Sequence, residues 1–410
     1  MPKVGPLDGV RVVELTSWMA APGAGAALAD MGADVVKVEP LTGDVARGIN
    51  RRARLHPDSP DIDGSFAMDN RGKRSVAVAI DQPQGADIVR RLVATADVLL
   101  CNLLPSRQAR YGLDAESLFK VKPNLVHATL TGYGLNGPDA SRPGYDVMAF
   151  FGRGGITERL TMPGQHALQP GSAQGDHTTA LAMVAAILAA LRVVERTGEG
   201  QIVDVNLMHT ATWTMAADLS SVLIDGHQPS KRVRDQRLAV IATAFRCSDD
   251  RYLILNMLEQ RWWRPFCETL GHPEWVDDER FHNARARFDN MPEITRLIDE
   301  VFASRTSEEW SKILDERGLI WGPAVTLAEL ANDEQAAIAG VYAEIEAVEG
   351  TFRTVAVPMK VSGAEITPRG PAPALAQHTL EVLRAAGYTD EEIQTLDNAN
   401  VISLAAGDQF

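Results

Sequence analysis

The 410-residue sequence has few cysteines, and those it has are scattered. Cys101, Cys247 and Cys267 form no CxxC or Cys/His spacing, so we expect neither a disulfide framework nor a structural zinc site. The longest apolar run, from Ala180 to Leu191, is shorter than the roughly 20 residues that a transmembrane helix requires. We expect this run to be a buried core helix, with no metal and no membrane span.

The chain also has fewer positively charged than negatively charged residues. Lys and Arg number 40 against 54 Asp and Glu, which gives a formal net charge of -14. Such a chain repels polyanions at long range, so we expect neither nucleic acid nor an anionic membrane as a partner. The first residues lack the basic and apolar regions of a secretory signal, which favours a cytoplasmic protein.

The first half of the chain alternates short β-branched runs with helical segments. This βαβ alternation predicts a parallel sheet with helices on both faces. Predicted strands are 10–15, 33–39, 74–80, 97–102, 124–130 and 201–207, and predicted helices are 21–32, 84–96 and a long one that ends near Gly198.

A polar stretch, 225–238, separates this first unit from a second one. There, 241–258 predicts two strands joined at Ser248–Asp250, and three helical segments follow. Further on, a hairpin is expected across Glu349 and Gly350, and Thr389 with Glu392 forms a capping-box pattern. We therefore expect an α/β chain with a smaller α+β unit inside it.

Gly23, Gly25 and Ala27 raise the alternative of a nicotinamide dinucleotide site. In that fingerprint the first glycine follows the strand directly. Here residues 16–22 intervene between the strand and the first glycine. The glycines are better interpreted as contacts between a helix and the sheet.

Asp176 stands at the start of the apolar run in "GSAQGDHTTALAMVAAILAAL", residues 171–191. One interpretation is a helix N-cap, whose side-chain oxygen accepts backbone N–H groups. The other is a reactive carboxylate with room around it, because Gly171, Ser172, Ala173 and Gly175 are small. An ordinary aspartate is ionised at neutral pH and needs no base, so we expect the adjacent His177 to be scaffold.

Five segments in order carry a resemblance to a known family. They are "PLDGVRVVELTSWMAAPGAGAALADMGADVVKVEP", "NRGKRSVAVAIDQPQG", "ADVLLCNLLPSRQARYGL", "TGYGLNGPDASRPGYD" and "GDHTTALAMVAAILAALRVVERTGEGQIVDV". The chain resembles the class III CoA-transferases of the CaiB/BaiF type. That family includes formyl-CoA and carnitine CoA-transferases and the related α-methylacyl-CoA racemases.

The resemblance implies an architecture. It implies a Rossmann-like large domain with a parallel sheet, a smaller α+β domain and an interlocked homodimer. On this chain the large domain would comprise 1–222 and a returning C-terminal segment, 339–410. The small domain would be 223–338.

The resemblance also implies a reaction. Asp176 would be the catalytic nucleophile that carries CoA from an acyl-CoA thioester to a carboxylic acid acceptor through an aspartyl-CoA thioester. No tightly bound cofactor is expected, since coenzyme A enters as part of the substrate.

By position in the family, CoA contacts fall on five stretches of this chain. Arg110 is the expected phosphate partner, with Arg107, Lys73 and Arg74 as helpers. The implied CoA-binding residues are Met19, Ala20, Val78, Ala79, Ile80, Asp81, Asn102, Leu103, Leu104, Arg110, Tyr145 and Asp146.

The alternative within the same family is a 2-methylacyl-CoA racemase. That reaction needs two proton carriers, and Tyr145 stands where the racemases have His. A tyrosine hydroxyl is a weak base at neutral pH, which favours transfer. Glu259 matches an assisting racemase acid and keeps this alternative open, so Glu259 and Tyr145 are possible assisting residues.

Overall fold

A computed structural model describes residues 4–49, 62–231, 233–237, 239–348 and 350–407. The chain divides into two compact units. The first consists of residues 1–160, 167–226 and 337–410, and the second of residues 161–166 and 227–336. The first unit is thus assembled from separate stretches of the chain, with both ends contributing.

A seven-stranded sheet forms the centre of the first unit. Its strands are β1 (Arg11–Leu15), β2 (Asp34–Glu39), β3 (Arg74–Val78), β4 (Val98–Cys101), β5 (Val126–Thr131), β6 (Gln201–Asn206) and β12 (Ile402–Ser403). Their order across the sheet is β12-β3-β2-β1-β4-β5-β6.

Six of these strands are parallel, which confirms the large parallel sheet expected from the sequence. The exception is β12, which pairs antiparallel with β3 through Ile402 and Val78. An all-parallel sheet is therefore wrong at this one edge. Strands β4 and β5 are buried along their whole length because helices cover both faces, and their sequences are correspondingly apolar.

Helices form a layer on each side of the sheet. On one side Ala20–Asp30 packs against Gln174–Thr197, and on the other Pro83–Val93, Thr379–Ala385 and Asp390–Asn398 cover the sheet. The helices of this unit are α1 (Ala20–Asp30), α2 (Gly64–Asn70), α3 (Pro83–Val93), α4 (Pro105–Tyr111), α5 (Ala115–Phe119), α6 (Ile156–Leu160), α7 (Gln174–Thr197), α8 (Leu207–Thr214), α9 (Ala216–Asp225), α15 (Glu334–Ala339), α16 (Thr379–Ala385) and α17 (Asp390–Asn398), with α15 beginning in the second unit.

Two local predictions are confirmed, and one local feature was not predicted. Thr389 and Glu392 form the expected capping box at the start of α17. The expected hairpin is present as β10 (Tyr342–Ala347) and β11 (Gly350–Val355), with Glu349 outside the described residues. A π-helical segment, Val147–Arg153, was not expected from the sequence.

Helix α7 is long and apolar enough to cross a membrane by length and composition alone, a test that the core helix of a soluble protein also passes. One face of it is buried, with Ala180, Met183, Val184 and Ile187 at helical spacing. That face packs on α1, as a core helix would. The rest of its apolar surface is only partly covered.

Four charged side chains lie buried together: one on β1, one on β2, one in the segment after β2 and one directly before β3. Lys37 lies 3.1 Å from Oε1 of Glu14 and 2.9 Å from Oδ2 of Asp44, and Lys73 lies 2.7 Å from Oε2 of Glu14. We call these four residues the ionic cluster. Its two positive and two negative groups balance, which is what makes burial of the charges tolerable.

The ionic cluster explains one of the glycines of α1. A Cβ atom built on Gly25 would overlap Oε2 of Glu14 and lie 3.1 Å from Nζ of Lys73. Only a residue without a side chain allows α1 to approach the cluster this closely. Gly25 is a contact between helix and sheet, as interpreted from the sequence.

The second unit is a small α+β body. Its antiparallel sheet has the order β7 (Ala242–Arg246), β8 (Tyr252–Asn256) and β9 (Trp321–Pro323). Phe245 stacks on Phe302 at 4.6 Å between ring centroids in a core that also buries Trp263. The helices around it are α10 (Trp263–Leu270), α11 (Ala284–Asp289), α12 (Met291–Phe302), α13 (Ser307–Glu316) and α14 (Leu327–Leu330).

Gly25→Ala should lower the free energy of unfolding by about 1–3 kcal/mol or more, because the new methyl group displaces Glu14 from its buried lysine partners. Urea denaturation measures the change. Gly64→Ala is the matched control, since a Cβ on this exposed first residue of α2 meets no atom within 4 Å. Equal stability of the two variants would contradict the role assigned to Gly25.

Candidate active site

The strand order identifies the edge of the sheet where a ligand is expected to bind. Strands β3-β2-β1-β4-β5-β6 form a doubly wound sheet whose order reverses between β1 and β4. In such sheets ligands bind outside the carboxyl ends of the strands at this switch point. The segments that leave β1 and β4 begin at Thr16 and Asn102, and they meet there.

Ser17 and Asn102 bind each other across the switch point. The Ser17 N–H donates to Oδ1 of Asn102 at 3.1 Å, and Nδ2 of Asn102 donates to the Ser17 carbonyl at 2.8 Å. This double contact fixes the segments after β1 and β4 relative to each other. The backbone of the segment after β1 and the side chain at the start of the segment after β4 therefore hold the two sides of the switch point in place.

Two cavities open at this edge of the sheet. The larger, about 610 Å³, is lined by the residues that follow β1, β2 and β3, and the smaller, about 300 Å³, contains Asp176. Ser17, Leu103 and Arg107 line both. The two cavities therefore adjoin at these three residues.

Asp176 lies in the first turn of α7, but it is not the N-cap. The helix begins at Gln174, and Ala173 occupies the N-cap position with a left-handed φ of 57°. The sequence-based interpretation of Asp176 as a cap is therefore wrong. The Asp176 carboxylate does not cap its own helix, and it lines the smaller cavity.

The π-helical segment brings a second carboxylate close to Asp176. Asp146 is buried at its start, and its Oδ2 accepts no hydrogen bond from any residue the structure describes. Gly175 permits the approach, because a Cβ there would lie 2.6 Å from Cγ of Phe150 and 2.9 Å from Cβ of Asp146. Packing thus holds two like charges together.

The electrostatic consequence falls on Asp176. Burial, followed by the negative charge of Asp146, raises its pKa from 3.8 to about 7, while His177 opposes the shift and Asp69 adds to it. The ionisation of Asp176 near neutral pH therefore depends on its surroundings, unlike that of an ordinary aspartate.

His177 is held from the other side of the helix. Its Nε2 lies 3.0 Å from Oδ1 of Asp69, a carboxylate on α2 that is only 1% exposed. This hydrogen bond raises the pKa of His177, which favours the imidazolium. Gly23 leaves room for the pair, since a Cβ there would lie 3.2 Å from Oδ1 of Asp69.

The structure brings most of the implied CoA-binding residues to the two cavities. Met19, Arg110 and Asp146 are not among the residues that line either one. Those that do line them are Ala20, Val78, Ala79, Ile80, Asp81, Asn102, Leu103, Leu104 and Tyr145.

The basic helpers separate into two groups. Lys73 is buried in the ionic cluster, where burial lowers its pKa to about 8, and Arg74 pairs with Asp34 and Glu381 at the surface. Neither lines either cavity. Arg107 lines both, so it is better placed than Arg110 to bind an anion.

Glu259 belongs to the second unit. It precedes a 3₁₀ turn, and its carboxylate accepts hydrogen bonds from Nε of Arg261 at 2.6 Å and from Nε1 of Trp262 at 3.0 Å. These contacts at the surface of the second unit are enough to explain why a glutamate occupies position 259.

Sequence reasoning missed two residues at the site. Trp18 lines the smaller cavity although only its neighbours Met19 and Ala20 were singled out. Asp69 comes directly before the "NRGKR" segment, and its long separation from His177 in sequence concealed their contact. An acidic residue beside a recognised motif was the available signal for Asp69.

The family comparison covers almost the entire chain. Residues 7–379 match the model of CoA-transferase family III.

Individual relatives extend the comparison. The chain is 29% identical to the (R)-2-hydroxy-4-methylpentanoate CoA-transferase of Clostridioides difficile, covering 97% of this chain and 99% of the relative. It is 33% identical to the succinate–glutarate CoA-transferase of Agrobacterium fabrum, covering 92% and 95%. A crystal structure of a CAIB/BAIF family protein from Brucella suis superimposes with a TM-score of 0.82 at 31% identity, covering 94% of this chain and 100% of the other.

Asp146→Asn should lower the pKa of Asp176 from about 7 toward, but not to, 3.8, because the like charge is removed while burial remains. Carbon-13 NMR titration of the aspartate carboxyl groups measures this, with the Asp176 signal assigned by its loss in Asp176→Asn. Asp87→Asn, an exposed change on α3, is the control. An unchanged Asp176 titration in Asp146→Asn would show that Asp146 does not act on it.

Proposed function

The chain belongs to CoA-transferase family III and is an enzyme of the transferase class, and from this premise we propose that it moves CoA from an acyl-CoA thioester to a carboxylic acid through a thioester on Asp176. One observation carries the proposal. Asp176 faces a cavity that shares a wall with a larger one at the switch point of the sheet. This arrangement supports a reactive carboxylate at one end of a site that takes a nucleotide-bearing thioester.

The proposed steps conserve protons. The Asp176 carboxylate attacks the thioester carbonyl, so that a C–O bond forms, the C–S bond breaks and CoA leaves as a thiolate. The thiolate then attacks the Asp176 carbonyl of this anhydride, which releases the first acid as a carboxylate. A second carboxylate attacks the enzyme thioester, and the same two steps in reverse yield the new acyl-CoA.

In the proposed complex the nucleotide end of CoA occupies the larger cavity and the sulfur end reaches the smaller one. Val78 to Asp81 and Leu103 would line the path, and Arg107 would bind a phosphate group from its place beside both cavities. CoA supplies its own leaving group, so these steps require no tightly bound cofactor.

The carboxylates around Asp176 suit this role. Only the ionised form attacks a thioester, and a carboxylate whose pKa is raised to about 7 is a stronger nucleophile than an exposed one once it ionises. The adjacent imidazolium of His177 favours negative charge on nearby groups. His177 is therefore an electrostatic scaffold in this proposal, and its hydrogen bond to Asp69 holds it there.

The racemase alternative is not favoured. The relatives reported above are all named as transferases or as members of the same family. Tyr145, which would replace the second proton carrier of a racemase, is half exposed and packs edge-on against Trp18. No observation assigns it an acid or base role.

A second copy of the chain is the proposed partner. Helix α9 has no buried residue although its sequence is largely apolar, and its Leu223 and Ile224 are 77 and 87% exposed. Trp213, at the end of the preceding helix α8, is 78% exposed. The second face of α7 is also apolar and incompletely covered. Exposed apolar surfaces of this kind mark association interfaces, which supports the homodimer expected from the family.

Incubation of the protein with acyl-CoA thioesters followed by intact-mass and peptide mass spectrometry tests the mechanism. A CoA-sized adduct should form on the peptide that contains Asp176 and should be lost on treatment with hydroxylamine. Its rate of formation should rise with pH through about 7, because the protonated carboxyl is inactive.

Asp176→Asn should abolish the adduct, while Asp87→Asn on the surface of α3 should leave it unchanged. An adduct that persists in Asp176→Asn would overturn the assignment of the nucleophile. Exchange of the α-proton of a 2-methylacyl-CoA in deuterated water without any adduct would favour the racemase instead.

Ile224→Asp should reduce the fraction of dimer, because it places a charge in the apolar surface of α9. Light scattering coupled to size-exclusion chromatography measures the mass of the assembly. Val121→Asp, a comparable change at a 44% exposed residue outside α7, α8 and α9, is the control and should leave the dimer intact. A wild-type protein with the mass of one chain would contradict the homodimer.

A further inference from the structure

The smaller cavity has a lining that bears on which acid is transferred. Resting on the proposed function, we propose that the enzyme acts on monocarboxylic acids with an aromatic or bulky apolar tail, and that Trp18 is the residue that selects them. The lining of the cavity, the conformation of Trp18 and its contact with Tyr145 support this assignment.

The lining around Asp176 is predominantly apolar. Its larger apolar side chains include Trp18, Leu103, Leu130, Pro143, Tyr145 and Leu207. Such surfaces favour ligand groups that leave water, with a gain roughly proportional to the apolar area buried. An acid with a phenyl or branched alkyl tail buries more of this surface than acetate does.

Charge in the same cavity disfavours dicarboxylic acids. Among the described residues that line it, Arg107 is the one cation, and it also lines the larger cavity where a phosphate group of CoA is proposed to bind. Asp176 and the nearby Asp146 are negative groups. A second substrate carboxylate would enter this lining without a cation of its own, which is costly.

Trp18 adopts a backbone conformation that a bulky residue rarely takes. Its φ is +70°, in the left-handed region that favours glycine. The conformation is held on both sides, since the Trp18 N–H donates to Oδ1 of Asp44 at 3.2 Å and Ser17 is bound to Asn102. Backbone strain at a residue that lines a cavity indicates that the position of its side chain has a functional role.

The aromatic contact orients the wall. The Trp18 and Tyr145 rings meet edge to face, with centroids 5.2 Å apart and planes at 79°. Both rings remain partly exposed, and both line the cavity with Asp176. The pair therefore presents aromatic surface beside the reacting carboxylate, where a planar or branched acyl tail can pack.

The rate of CoA-adduct formation on Asp176 measures the preference directly. The donors are 3-phenylpropionyl-CoA, succinyl-CoA and acetyl-CoA. The wild type should form the adduct from the phenyl donor at least about tenfold faster, as second-order rate constants, than from either of the others. Equal rates, or a faster reaction with succinyl-CoA or acetyl-CoA, would overturn the inference and leave the proposed function standing.

Variants of Trp18 locate the preference. Trp18→Ala should lower the ratio of the phenyl-donor rate to the acetyl-CoA rate about tenfold or more, and Trp18→Phe should restore most of that ratio. Phe288→Ala, which removes an exposed aromatic ring from α11, is the control for aromatic truncation and should retain the wild-type ranking. Thermal unfolding of each variant identifies loss of folding.

The outcomes are distinguishable without relying on any single variant. The wild-type ranking of the three donors tests the substrate class even where Trp18→Ala is unstable. Retention of the full preference in a folded Trp18→Ala protein would show that Trp18 is not the selecting residue. An absence of adduct with all three donors would overturn the proposed function and the inference together.

Discussion

The ionic cluster of Glu14, Lys37, Asp44 and Lys73 is the interaction on which the site depends. Its members are removed from water, so each charge is tolerable only while its partners are present. Through Asp44 the cluster extends to the backbone of Trp18, and through Lys37 it reaches the Thr16 carbonyl at 3.2 Å. The segment between β1 and α1, which lines both cavities, is thereby tied to the interior of the sheet.

At the site itself, two carboxylates that repel each other lie close together. Asp146 and Asp176 are brought together by packing against the π-helical segment, and Gly175 is the residue that lets the packing occur. The free energy of this arrangement comes from the surrounding fold, since the two carboxylates alone would separate. A π-helical segment beside the reactive group is consistent with the frequent occurrence of such segments at functional sites.

The central sheet was predictable because its signals are local. Runs such as β1, β4 and β5 are β-branched and apolar, and glycine and proline mark the ends of α1. What escaped prediction depends on contacts between distant residues. Strand β12 has only two residues, too few for a sequence pattern, and it pairs with β3. The π-helical segment has no recognisable periodicity in the sequence. The pKa of Asp176 is set by neighbours on other elements. The family resemblance directed attention to Asp176, but only the fold brought Asp69, Asp146 and Trp18 to it.

The pairing of β12 with β3 has a consequence for synthesis on the ribosome. Ile402 pairs with Val78, and α16 and α17 supply Leu380, Leu383 and Ile393 to the core beneath that edge. Until these residues have left the exit tunnel, β3 is an unpaired edge strand and the core beneath it is open to water. The second unit consists of residues translated earlier, so its residues are all available while the first unit is still incomplete. The nascent chain thus carries an uncovered sheet edge for more than 300 residues of elongation.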